Sequence, residues 1–143
     1  MPTRPQGVTL IEMLIVVVIV AITASAAVPS YRRCVLRAHR VEAKTALLNL
    51  VTAQEKFYLQ NNGYAGHSAL STAPPDGLGL TGTTGNGWYT IAITAASTTA
   101  FRATATAAGE QIADGDCATF TIDSLGVRGA TNRGGTPSTA CWN

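Results

Sequence analysis

The chain has 143 residues, of which 13% are charged, and its formal net charge is +2. That charge is too small to argue for a nucleic-acid partner by itself. With the apolar amino-terminal run set aside, roughly 115 residues remain, enough for one small domain with its own core.

A short polar head, Met1-Pro2-Thr3-Arg4-Pro5-Gln6, precedes Gly7–Val28, about twenty mostly apolar residues that match the length of a bilayer's hydrocarbon core. One charge, Glu12, stands inside the run. A carboxylate in a spanning segment is costly and calls for a partner. Four readings compete. In a cleaved signal peptide, Arg4 would be the positive region, Leu10 to Ile22 the apolar core and Ala24-Ser25-Ala26 the cleavage site. A plain membrane anchor fits the length but leaves Glu12 unexplained. A buried core helix fits poorly, because small domains rarely enclose a helix that is apolar all round. The fourth is an assembly helix that spans a membrane first and packs in a filament later.

Gly7-Val8-Thr9-Leu10-Ile11-Glu12-Met13-Leu14-Ile15-Val16-Val17 resembles the class III signal sequence of type IV pilins, with Val8 where Phe is usual. The resemblance implies a leader of residues 1–7, removed by a prepilin peptidase that cuts after Gly7, and N-methylation of Val8. It implies a transmembrane and assembly segment over 8–29, in which the new Val8 amine pairs with Glu12, within one subunit or with its neighbour. A charge in an apolar medium must be paired or neutralised, so the pairing is physically sound. Partners follow: other pilin subunits, the membrane, and inner-membrane assembly machinery.

Pro29 either kinks the helix or opens a new one. Arg32, Arg33, Arg37 and Arg40 read as a basic collar at the membrane surface. By charge bias alone they would hold the following domain in the cytoplasm, whereas the pilin resemblance and the distal cysteines put it outside. Residues 30–62 then read as an amphipathic helix. The expected apolar stripe is Val35, Ala38, Val41, Thr45, Leu48, Val51, Phe57 and Tyr58, widened by Leu47 and Leu50, with Gln54 opposite. Asn61-Asn62-Gly63 is a helix stop. Cys34 reads as a small buried thiol.

Residues 63–87 are rich in Gly, Ser, Thr and Pro and read as a long loop, with turns at Pro74-Pro75-Asp76-Gly77 and Gly85-Asn86-Gly87. Three segments alternate with period two: Trp88 to Ala95, Ala100 to Ala107 and Cys117 to Asp123. They predict an antiparallel sheet within 88–124. Its apolar face needs a cover, and the preceding helix supplies one. The expected fold is α+β, a long helix on a small antiparallel sheet, the globular part covering 30–143.

The stretch from Cys117 through Thr-Phe-Thr-Ile-Asp-Ser-Leu-Gly to Cys141-Trp142 resembles the disulfide-bounded carboxy-terminal region of type IVa pilins, closest to PilE-type minor pilins. The resemblance implies a Cys117–Cys141 bridge. Closing the otherwise poorly packed segment 117–141 would contribute about 3 kcal/mol. A pseudopilin of type II secretion shares the amino-terminal motif but usually carries a calcium loop instead of the cysteine pair.

No residue pattern suggests catalysis or a cofactor. His39 and His67 lack metal-ligand spacing, and Asp114-Gly-Asp116 lacks the rest of a calcium loop. Arg128 and Arg133, in a Gly-rich tail without an interleaved aromatic, read as solvated loop charges, with a DNA-phosphate patch as the alternative. The expected function is a structural subunit of a type IV pilus, probably minor in the sense of low copy number, with adhesion, twitching motility or DNA uptake as the activities such a fibre implies.

Overall fold

The computed structural model describes residues 7–143. Arg4 and the rest of the expected leader before Gly7 lie outside the described residues. The chain divides after Val35 into two compact units that share one helix.

Helix α1 runs Leu10–Asn61, 52 residues with Pro29 in its interior. The chain is helical on both sides of Pro29, so Pro29 does not open a separate helix. In the first unit every described residue from Gly7 to Cys34 is exposed. The hydroxyls of this apolar stretch find partners on the helix itself. Thr23 Oγ1 donates toward the carbonyls of Ile19 and Val20, both at 3.0 Å, and Ser25 Oγ to that of Ile22 at 2.7 Å. A helix that satisfies its own polar groups can enter lipid without orphaned donors. Cys34 is exposed, which corrects the expectation of a buried thiol.

In the second unit, Leu36–Asn61 continues α1 along an antiparallel sheet ordered β1-β2-β3-β4: β1 Tyr89–Ala96, β2 Phe101–Ala107, β3 Thr119–Asp123 and β4 Arg128–Thr131. Ala43, Leu47 and Leu50 from the helix share one core with Tyr89, Ile91, Ile93, Phe101, Ala103, Phe120 and Ile122. Phe120 lies across from Ala105 on one side and Ala130 on the other, so small neighbours flank the largest ring of β3.

The buried helical stripe differs from the expected one. It is Ala43, Leu47, Leu50 and Gln54, at spacings of four, three and four, while Val41 is 61% and Leu48 41% exposed. Val and Leu on the outer face outscored Ala and Gln on the inner one. Gln54 is nevertheless fully buried, because its amide holds both backbone groups of Ala65: Nε2 donates to the carbonyl and Oε1 accepts from the N–H, each at 2.8 Å.

The loop 63–87 is ordered by its own backbone. A short 3-10 turn at His67–Ala69 is followed by hydrogen bonds from Leu78 to Ala69 and from Leu80 to Leu70, which bury Leu70 and Leu78. Gly77 sits against the carbonyls of Ala69 and Thr72, where any Cβ would clash. Helix α1 stops as expected: Asn62 takes a left-handed φ of 55° and its N–H donates to Tyr58. The fourth strand is a departure. The segment read as a flexible tail forms β4, whose outer edge is covered by Pro137 and Ser138.

Candidate functional site

At the amino-terminal end, Gly7 and Val8 precede the first helical residue, Leu10. Thr9 caps the helix: its carbonyl accepts from the N–H of Glu12 at 3.1 Å and of Met13 at 3.2 Å, and its Oγ1 from Glu12 N–H at 3.4 Å. Thr9-Leu10-Ile11-Glu12 is thus the S/T-x-x-E capping pattern, which the sequence carries within the Thr-Leu-Ile-Glu signature. Glu12 also places a negative charge in the first turn, where the helix dipole favours it. In the uncut chain Val8 lies outside the helix, so the shared helical face of Val8 and Glu12 is not formed. Among the described residues Glu12 makes no ion pair.

A second cluster, absent from the expectations, ties the helix to the segment after β2. Arg40 Nε and Nη2 donate to the two oxygens of Asp114 at 2.6 and 2.7 Å. Asp114 is 4% exposed. The Asp114 hydrogen bond, helped by its charge, raises the Arg40 pKa against the opposing effect of desolvation. Beside them, fully buried Gln111 turns its amide nitrogen to the carbonyl of Leu36, the Tyr89 hydroxyl and Asp114 Oδ2, at 3.0, 2.9 and 3.1 Å. Its oxygen is 3.0 Å from His39 Nδ1, which therefore carries the proton, and the His39 ring stacks on Trp88. Burial, reinforced by Asp114, pushes the Tyr89 phenol up to about 12.

Two expectations change here. Arg40 is part of the globular unit rather than of a headgroup collar. Asp114, considered as half of a calcium turn, is instead neutralised by Arg40; among the described residues no group of three His, Cys, Asp or Glu side chains could hold a metal. Helical periodicity could not reveal this cluster, since 74 residues separate Arg40 from Asp114.

At the carboxy-terminal end, Cys117 and Cys141 form a disulfide with Cα atoms 5.8 Å apart, and both residues are buried. Trp142 donates its indole N–H to the carbonyl of Gly129 at 2.7 Å and packs edge-on against Phe120. The Arg128 guanidinium lies 5.3 Å from the Trp142 ring centroid. Arg128 therefore does have an aromatic partner, contrary to the expectation, supplied by the chain's end rather than by its neighbours. Arg133 donates to the Ile112 carbonyl.

A family model described as type IV minor pilin ComP, DNA uptake sequence receptor, matches residues 29–121, more than half of the chain. The chain belongs to the type IV minor pilin family. A second model, the prokaryotic N-terminal methylation motif, matches this pilin over residues 3–28. Similar proteins include the type IV major pilin protein PilA of Myxococcus xanthus, 42% identical over 62 residues, or 43% of this chain and 28% of that one. The type IV wide pilus major component PilA4 of Thermus thermophilus is 34% identical over 86 residues, 60% of this chain and 63% of that one. The chain thus spans less than two thirds of either relative. Pilins are structural proteins, and the helix-on-sheet architecture with an apolar amino-terminal helix fits that class.

Proposed function

We propose that this chain is a minor subunit of a type IV pilus, held in the inner membrane by residues 8–29 and then drawn into a cell-surface filament by the same segment. The leader, residues 1–7, is removed by a prepilin peptidase after Gly7, and Val8 is N-methylated. Matches to a methylation motif over residues 3–28 and a minor-pilin family over 29–121 support this most directly. The exposed Gly7 and Val8, ahead of a capped helix, suit a peptidase that needs extended backbone. Cutting releases an amine at Val8, and one further helical turn brings it to the same face as Glu12. That pairing, made with a neighbouring subunit on docking, sets the axial register, and the assembly machinery acts on subunits so held. Pro29 supplies a point where the helix gives way without a broken core, since no residue around it is buried.

The test is the mature amino terminus by mass spectrometry. N-methyl-Val8 is expected; a start at Ala27 would make the chain a secreted soluble protein and sink the reading. Glu12→Val should enter the membrane but fail to assemble, and normal incorporation of that variant would remove the pairing argument. The pseudopilin alternative is disfavoured by the Cys117–Cys141 bridge, which stands where a calcium loop would.

A second reading, that this subunit contacts DNA for uptake, is favoured by the matched family's description as a DNA uptake sequence receptor. It requires salt-dependent binding of duplex DNA by the full chain. No binding at low salt would end it.

A further inference from the structure

The cations of the globular unit are not equivalent. Arg133 is engaged by the Ile112 carbonyl, Arg128 lies over Trp142, and both stand beyond the segment 29–121 matched to the DNA-receptor family. Within that segment, Arg37, Arg40 and Lys44 follow one another on α1 at spacings of three and four, so they share a helical face. They form one wall of a cleft of about 580 Å³, whose other wall includes Asn132, Ser138 and Asn143.

Arg40 is held in the cleft by Asp114, and Asp116, 83% exposed, approaches it at 3.9 Å. Among the described residues these are the only ion pairs, so Arg37 and Lys44 flank a neutralised centre with no carboxylate of their own. Lys44 Nζ donates to the Asn143 carbonyl at 3.0 Å, a neutral acceptor. Desolvation first, and the Arg40 charge second, push the Lys44 ammonium below its usual value. A second anion in the cleft would relieve both effects.

We infer that this cleft is the place where the subunit holds a nucleic-acid backbone, with Arg37 and Lys44 each meeting a phosphate and Ser138 and Asn132 offering hydrogen bonds between them. The inference rests on the DNA-uptake reading above and names its contact site. Duplex phosphates suit it better than lipid headgroups do. Lys44 stands fifteen residues after Pro29, roughly 22 Å of helical rise, whereas the attraction of a membrane surface fades within about 8 Å. Arg40 acts as a positioning residue: its salt bridge fixes the helix face against the segment that carries Asp116 and Cys117.

The experiment measures anisotropy of a labelled mixed-sequence duplex with the full chain in detergent micelles, at several salt concentrations. Arg37→Ala with Lys44→Ala should weaken binding at least tenfold at low salt and reduce the magnitude of the log–log salt slope by about 2, the value for two lost phosphate contacts. Arg128→Ala should stay within threefold of the unaltered chain. Neither Arg37 nor Lys44 belongs to the apolar core, and an unchanged thermal transition verifies the fold of the double variant. If the unaltered chain binds and the double variant binds equally well, the cleft is wrong while DNA contact stands. If the unaltered chain does not bind, the DNA reading falls and takes this inference with it. If the double variant loses only its binding to anionic-lipid vesicles, the site is a membrane contact and the inference is overturned.

Discussion

Arg40 and Asp114 meet through two hydrogen bonds of 2.6 and 2.7 Å between residues 74 positions apart in the chain. The two ends of this pair are not equally buried: the Asp114 side chain is 4% exposed and that of Arg40 13%. Removing either partner should therefore have unequal costs. Arg40→Leu strands a buried carboxylate and should destabilise the globular unit by about 3 kcal/mol. Asp114→Asn keeps the shape and frees a guanidinium that can swing toward water and Asp116, and should cost about half as much. Urea unfolding of both variants checks the order, and equal losses would mean that desolvation of Asp114 is not the controlling factor.

Tyr89 gives the pH dependence a definite sign. Its phenol is neutral in the fold, with a pKa raised to about 12 by burial and then by Asp114. In the unfolded chain it titrates near 10. Below pH 10 both states keep the proton and the stabilisation is complete. Between about 10 and 12 only the unfolded state releases it, so stability falls with each step upward and the contribution is gone above the folded value. Urea midpoints at pH 8 to 11.5 should decline, and Tyr89→Phe should flatten that decline. A Phe variant with the same slope would assign the alkaline loss to another group.

How much of this was legible beforehand follows from the range of each interaction. The spanning run, the Asn62 stop and the alternation of β1 to β3 are local patterns, and each appears where its period places it. Gln54 escaped because a buried amide has no apolar signature; only the backbone of Ala65, eleven residues on, makes its burial tolerable. Strand β4 escaped because Gly129 and its short neighbours lack β-branched bulk, and the strand exists through pairing with β3 on one side and the disulfide-held segment on the other. The Arg40 cluster is assembled from three distant segments, so no window of sequence contains it. At the amino terminus the residues were legible, but their arrangement in the uncut chain was not, because the Thr9 cap starts the helix two residues after Val8.

The Cys117–Cys141 bridge spans 24 positions and anchors the segment that covers β4. Cys141→Ser should cost about 3 kcal/mol in the chain-entropy account. The loss should be local first. Trp142, packed on Phe120 and bonded to the Gly129 carbonyl, should become more exposed, with a red-shifted emission before global unfolding. Of the two Trp in the chain, Trp88 lies stacked on His39, so a Trp88→Phe background isolates the Trp142 signal. Unchanged Trp142 emission would show that the indole, not the bridge, holds the segment.

Gln54 is the test of what orders the long loop. Its side chain supplies Ala65 with the donor and the acceptor that a neighbouring strand would otherwise give, both at 2.8 Å and both buried. Gln54→Leu keeps much of the volume but leaves the Ala65 N–H and carbonyl without partners, at about 1–3 kcal/mol for each group so stranded. Some of that cost is avoidable, because the loop can move out to water. The expected result is therefore a net loss of about 2 kcal/mol and faster amide exchange from Ala65 through Leu70, with β2 and β3 unchanged. Gln54→Glu separates the two bonds: the carboxylate accepts from the Ala65 N–H but meets the carbonyl with a second acceptor, so it should resemble Leu at neutral pH and recover on acidification as the carboxyl gains a proton. Uniform exchange across the whole sheet in either variant would mean that the helix, not the loop, depends on Gln54.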